Sequence, residues 1–145
     1  MRPVTFIPKS AFARNPIEEI GDALEADMKA GCGVSPSHFQ VLMALAEAPD
    51  GQLRMVDIAS KNCISRSGVT QSVDRLEKLG RVTRVTSPGD RRLVLATITP
   101  AGRDVVPIGH LVFQEVADRF IADRLGQRQA IALQAALLKI ASTDG

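Results

Sequence analysis

The chain contains no tryptophan and no tyrosine, only two cysteines and two histidines, and no long apolar run. Without Trp or Tyr it has little with which to build the aromatic stacking platforms that hold single-stranded nucleic acid. Cys32 and Cys63 are too few for a disulfide scaffold or a zinc site, and His38 and His110 lack the spacing of a metal-binding pair. Every apolar stretch is cut by charge or proline well short of the ~20 residues that cross a bilayer, so no membrane partner is expected. Near the N-terminus, Ala11-Phe12-Ala13 imitates a leader-cleavage site, but Pro8, Lys9 and Arg14 interrupt any continuous apolar segment, and the chain is expected in the cytoplasm. No GxSxG, no phosphate-gripping Gly-rich loop and no Cys/His/Asp grouping occurs, so the chain is not read as an enzyme and no metal or cofactor is expected.

What is present is an ordinary globular composition, 45% apolar and 23% charged, in 145 residues, enough to bury a core in one domain. The net charge of +2 conceals an uneven distribution. Between Arg54 and Arg92 nine basic residues face four acids, a net of +5, while the two flanks together carry −3. A basic block between acidic flanks suits a polyanion on one face and other work on the rest. A solvated surface with scattered charge gives the same count, so local structure has to decide.

Three helix starts share one device. Asn15-Pro16, Ser35-Pro36 and Thr99-Pro100 each put a side-chain acceptor before a proline, which satisfies an orphan amide and spends no N–H. Glu18 follows Asn15 in a capping-box pattern. These starts predict helices over 16–30, closed by Gly31, and 36–48, closed by Pro49-Asp50-Gly51. A short helix is expected over 55–61, with Met55, Ile58 and Ala59 inward, and a longer one over 66–79, capped by Ser65 and ended by Gly80. In the latter Val69, Val73, Leu76 and Leu79 form one apolar stripe. Residues 81–86 and 93–99 are rich in β-branched side chains and flank the turn sequence Ser87-Pro88-Gly89-Asp90, which reads as a hairpin. A long helix over 100–125, bent at Pro107 and ended by Gly126, and a last, alanine-rich helix over 127–141 complete the chain.

Helix, tight turn, helix and a basic-tipped hairpin make the plan of a winged helix-turn-helix. The fold class is therefore mainly α with a small β-hairpin wing. With Val69, Val73 and Leu76 inward, about 100° per residue turns Ser67, Gln71, Asp74 and Lys78 outward, flanked by Gly68, Thr70 and Arg75. Small, hydroxyl, amide and basic groups suit a major groove, where Gln71 can pair with adenine. Arg75 and Lys78 are better placed for phosphates. Asp74 would be repelled there and is expected to hold a neighbouring arginine instead. The candidate double-stranded DNA contacts are Ser65, Arg66, Ser67, Gly68, Thr70, Gln71, Arg75 and Lys78, with Asp90, Arg91 and Arg92 on the wing.

Two runs make this pattern more specific: Asp57-Ile58-Ala59-Ser60, and the stretch from Ser65 through Val69-Thr70-Gln71-Ser72-Val73-Asp74-Arg75-Leu76 to Gly80. With Gly89-Asp90-Arg91-Arg92 and Ile98-Thr99-Pro100-Ala101-Gly102, they resemble the MarR family of bacterial regulators over about residues 34–104. Gln71 stands where that family often has a basic residue, and Arg81 where an apolar one is usual. The resemblance implies a homodimer on a palindromic operator, repression released by a small-molecule effector or an oxidant, and a wing in which Asp90 orients the Arg92 guanidinium. It divides a single domain of residues 1–145 into dimerisation helices, 16–34 and 100–141, and a winged helix-turn-helix lobe, 35–99. It further implies an effector cleft between these parts, for which His38, Phe39, Met43 and Phe113 are candidates. A redox role for Cys32 is a rival form of control, with Cys63 expected in the core. A winged-helix module for protein association, its basic face only solubilising, is the rival reading of the whole.

Overall fold

The computed structural model describes residues 16–62 and 64–141. Asn15, the leader-like segment and Cys63 lie outside them. Helix α1 spans Pro16–Cys32, α2 Pro36–Glu47, α3 Met55–Asn62 and α4 Arg66–Lys78. Strands β1 (Gln52–Arg54), β2 (Val82–Ser87) and β3 (Asp90–Ile98) form one antiparallel sheet in the order β1-β3-β2. Helix α5 covers Pro100–Ala117, a π-helical turn covers Asp118–Ala122, and α6 covers Asp123–Ala141.

The capped starts form as their residues require. Ser35 accepts from His38 N–H at 3.3 Å, Ser65 from Gly68 N–H at 3.1 Å and Thr99 from Gly102 N–H at 3.0 Å. The end of α1 corrects the expectation. The helix runs through Gly31 and closes at Gly33, whose φ of +74° lets its N–H reach back to Lys29 O at 3.1 Å. Gly31 serves packing instead: a Cβ there would come within 2.9 Å of Val112 on α5. Cys32 is thereby the last residue of α1, its thiol donating to Met28 O at 3.2 Å.

Between α2 and α3 the sequence reading missed β1, which pairs Gln52 with Thr97 and Arg54 with Leu95 and turns the hairpin into a three-stranded sheet. The inward stripe of α4 needs a correction too. Val69, Val73 and Leu76 are fully buried, but Leu79 is 36% exposed because the helix ends at Lys78 and the chain turns away through Gly80. The long fifth helix continues through Pro107, passes through the π-helical turn and breaks at Gly126, so the last regular helix starts about where the glycine placed it.

The core lies between α2, α3, α4 and the sheet and extends up to α1 and α5. Met28, Phe39, Leu42, Leu45, Ile58, Val69, Val73, Leu76 and Val82 are all wholly buried, each worth about 1.5–3 kcal/mol. Phe39 stacks on Phe113 at 5.6 Å between centroids and meets His110 edge-on at 5.7 Å. Gly109 makes room for this ring, since a Cβ there would lie 2.1 Å from Phe39 Cε2. Helix α5 is also stitched to the end of α4. Thr99 Oγ1 donates to Gly80 O at 2.7 Å, Thr99 N–H to Arg81 O at 3.0 Å, and Arg81 Nη1 to Ala101 O at 2.9 Å. Arg81, a departure from the resembled pattern, thus ties the turn after α4 to the following helix. Among the described residues no helix is long and apolar enough to cross a membrane.

Candidate nucleic-acid interface

Helix α4 presents the face that its periodicity predicts. Ser67, Thr70, Gln71, Asp74, Arg75 and Lys78 are exposed, Gly68 is half-buried, and Ser72 turns in among the apolar residues. The Ser65 hydroxyl is committed to the helix cap and shares a hydrogen bond with the Ser67 hydroxyl at 3.1 Å. Thr70 Oγ1 donates to Arg66 O at 3.0 Å, which leaves its lone pairs to accept from outside. Gln71 has an exposed amide at the centre of this face, able to donate and accept at once.

Charge on this face is sorted by ion pairs. Arg84 on β2 donates one Nη to Asp74 and the other to Glu77, so Asp74 does hold a neighbouring arginine. Burial works against the Arg84 charge, but the hydrogen bonds to Asp74 and Glu77 outweigh it and hold its pKa above the ordinary arginine value. Arg54 is occupied by Asp57 at 2.7 Å. Among the described residues no carboxylate pairs with Arg66, Arg75, Lys78, Arg91 or Arg92.

The wing differs in detail from its expectation. Strand β3 begins at Asp90, which pairs with Ser87, but the next register pair is Thr86 with Val94. Arg91, Arg92 and Leu93 fall in this irregularity, and a bulge of this kind re-aims side chains. Both arginines are exposed. Asp90 Oδ1 accepts from the Arg92 backbone N–H at 2.9 Å, and no ion pair joins the two side chains. Asp90 therefore orients Arg92 through the main chain and not through its guanidinium.

Of the four candidate effector residues, Phe39 and Phe113 are brought together, while Met43 lines a cleft that the other three do not. Phe39 and Phe113 stack, with His110 on the edge of Phe39, but Phe39 has no exposed surface. Met43 instead lines an open cleft of about 410 Å³ between α2 and α3, with Gln40, Glu47, Lys61 and Asn62. Asn62 Nδ2 has no hydrogen-bond partner among the described residues. His38 is half-buried, and its pKa is lowered first by burial and then by Arg75; Glu25 pulls the other way, and Lys29 adds the smallest lowering effect. The sequence reading missed the Arg84 clamp and this cleft; the acids at 74 and 77, one helical turn apart, were the available signal for the first.

A surface of another kind lies at the far end. Ile131, Leu137 and Leu138 on α6 are 60%, 53% and 64% exposed, and Ile108 and Leu111 on α5 also face outward. An open groove of about 550 Å³ runs between the π-helical turn and α6, lined by Ala117, Ile121, Ile131, Leu133 and Leu137.

Comparison with known proteins bears on this geometry. Residues 33–93 match the model of the MarR family. The chain is 28% identical over 113 residues to the HTH-type transcriptional regulator FarR of Neisseria gonorrhoeae, spanning 77% of this chain and 74% of that one. It is 36% identical over 70 residues to the HTH-type transcriptional regulator MhqR of Bacillus subtilis, spanning 48% of this chain and 47% of the relative. Its fold superposes with a TM-score of 0.76 on a MarR family regulator of Streptomyces coelicolor crystallised with DNA, at 28% identity over 87% of this chain and 79% of the other.

Proposed function

We propose that this chain, whose residues 33–93 match the model of the MarR family, is a winged helix-turn-helix transcriptional regulator of that family: a homodimeric, cytoplasmic repressor that binds a palindromic operator in double-stranded DNA and releases it to a small-molecule effector. The observation that carries the DNA reading is the sorted charge of α4 and the wing. The acids of α4 that would repel phosphate, Asp74 and Glu77, are bound up, while Arg66, Arg75 and Lys78 stand exposed on the helix of Gln71 and Arg91 and Arg92 stand exposed on the wing. In this reading α4 lies in the major groove with Gln71 on base edges, and the wing arginines reach the minor groove, where a narrow groove concentrates negative potential. The Streptomyces relative, whose fold this chain shares, was crystallised on DNA.

Pairing of two chains follows from the apolar residues exposed on α5 and α6, which a partner's helices would cover, since most soluble oligomers are two-fold homodimers. Repression draws support from a 30% identity over 74 residues to the HTH-type transcriptional repressor YetL of Bacillus subtilis, of which the match spans 44%. Effector control draws support from the cleft between α2 and α3, whose volume of about 410 Å³ is that of a small-ligand site.

Selection of genomic fragments by the purified protein tests the reading. A few fragments should be enriched, and Gln71→Ala should cost about 1–3 kcal/mol on them while leaving binding to random duplex nearly unchanged. Equal losses on both would mean that Gln71 reads no base. Retention of no DNA at low salt would return the module to protein association.

A further inference from the structure

Asp74 and Glu77 are out of place on a face meant for DNA. Asp74 lies on the outward line of α4 with Gln71 and Lys78, half its side chain exposed, and Glu77 follows one turn later. A face shaped by electrostatics alone would carry no carboxylate there, because each acid beside a phosphate weakens every complex the protein makes. Both are instead held by one guanidinium that comes from a different element. Arg84, only 26% exposed, reaches from β2 across the Gly80 turn, with one Nη on each acid. A planar fork bridging two carboxylates fixes direction as well as distance, which a single point charge cannot do.

The geometry points to Arg84 as a positioning residue: with Asp74 and Glu77 it sets the angle between the recognition helix and the wing, and through that angle the preference for one DNA sequence over others. Strand β2 pairs with β3 from Val82↔Ile98 out to Thr86↔Val94, and β3 carries Arg91 and Arg92 at its far end. At about 3.3 Å per residue, a change of about 10° at Arg84 becomes a displacement of about 2 Å at the wing tip, enough to break a hydrogen bond there. The base of the wing is already secured by buried Val82 and by the Thr99–Gly80 hydrogen bond. Arg84 lies two residues further out, where, among the described residues, no other side-chain hydrogen bond ties β2 to α4. The clamp makes groove-reading by α4 and wing insertion simultaneous only on DNA whose two grooves present the matching geometry. Two acids on the interface are the cost of that selectivity.

This inference rests on the DNA-binding reading, and the test separates the two. Affinities are measured for the selected genomic fragment and for a duplex of the same composition in shuffled order. Asp74→Asn with Glu77→Gln opens the clamp while leaving Arg84 in place and removing two negative charges. The shuffled duplex should then bind more tightly, while the ratio of affinities for selected over shuffled DNA falls about tenfold. Arg84→Gln combined with both acid substitutions should show the same low ratio, with shuffled binding at least as tight as in the wild type. If the ratio stays at the wild-type value in the double variant, the clamp does not set specificity. If instead the triple variant loses affinity on both duplexes, with a salt slope lower by about one phosphate contact per subunit, Arg84 touches DNA directly and the positioning role is wrong. A wild-type protein with no preference for any selected fragment overturns the DNA-binding reading and this inference with it.

Discussion

The lobe from α2 to β3 and the terminal helices treat their apolar residues in opposite ways. In the lobe the stripe of α4 vanishes into the core, with Val69, Val73 and Leu76 wholly buried and only Leu79 left out. In α6 the corresponding residues stay outside: Ile131, Leu137 and Leu138 keep more than half of their surface. A chain gains nothing from presenting leucines to water on a helix of this length, whereas a self-covering pair of helices gains about 1.5–3 kcal/mol for each large side chain removed from solvent. The lobe buries its stripe within one chain; the terminal helices leave large apolar side chains in water, the surface that the second copy of the proposed dimer would cover.

The comparison is broken most directly at α6. Ile131→Glu with Leu137→Glu should raise the dimer dissociation constant at least about a hundredfold, since each two-fold interface loses both residues twice and buries charge in their place. Light scattering at micromolar concentration would show the chain mass, with the helical signal of the lobe retained. A dimer that survives unchanged would move the interface to another face.

Next in size is the joint where the two regions meet. Gly109→Ala places a Cβ 2.1 Å from the Phe39 ring, and relief requires the aromatic cluster or α5 to shift. Overpacking of this kind should cost about 1–3 kcal/mol, read from the urea midpoint at constant slope. A neutral substitution would mean that α5 rides loosely on the lobe.

The wing gives a smaller effect of informative sign. Arg92→Ala should weaken binding to every duplex and lower the salt slope by about one contact per subunit. Asp90→Ala should weaken it as well, although it removes a negative charge, because Asp90 pins the Arg92 backbone N–H. Tighter binding by Asp90→Ala would reduce the wing to a diffuse positive patch.

The smallest expected effect is in acid. Burial, then Arg75, hold His38 below the ordinary histidine value of 6.5. The unfolded chain therefore takes up a proton more readily than the native one, so stability is full above about pH 7 and declines as pH falls through 6.5 toward the lower native value. His38→Gln should flatten that decline in a series of melting temperatures. An unchanged slope would place the acid sensitivity elsewhere.

Much of the lobe is legible from sequence because its signals are local. A serine or threonine before a proline fixes a helix start within a residue, as Ser35 and Thr99 show, and the spacing of Val69, Val73 and Leu76 fixes which way α4 faces. What escapes is set by distant partners. Strand β1 is three residues long and exists because Thr97 and Leu95 offer it an edge. Gly31 reads as a helix stop but is spent on Val112, 81 positions away in the chain, leaving the stop to Gly33. Asp74 could be assigned an arginine on charge alone, while its identity as Arg84 depended on how β2 returns beside α4. The Asp90–Arg92 contact is right in its members and wrong in its atoms, because an aspartate at a turn readily accepts from the backbone N–H two residues on, a local bond that needs no guanidinium.

The central claim is that two such lobes, joined through their terminal helices, read one DNA site together. Footprinting the wild-type protein on its selected genomic fragment tests it most directly. The account predicts two protected half-sites in inverted repeat, centred about one helical turn or a small multiple of it apart, that appear at the same protein concentration. A single protected half-site saturated by one chain, or protection spread evenly along the fragment, would contradict it.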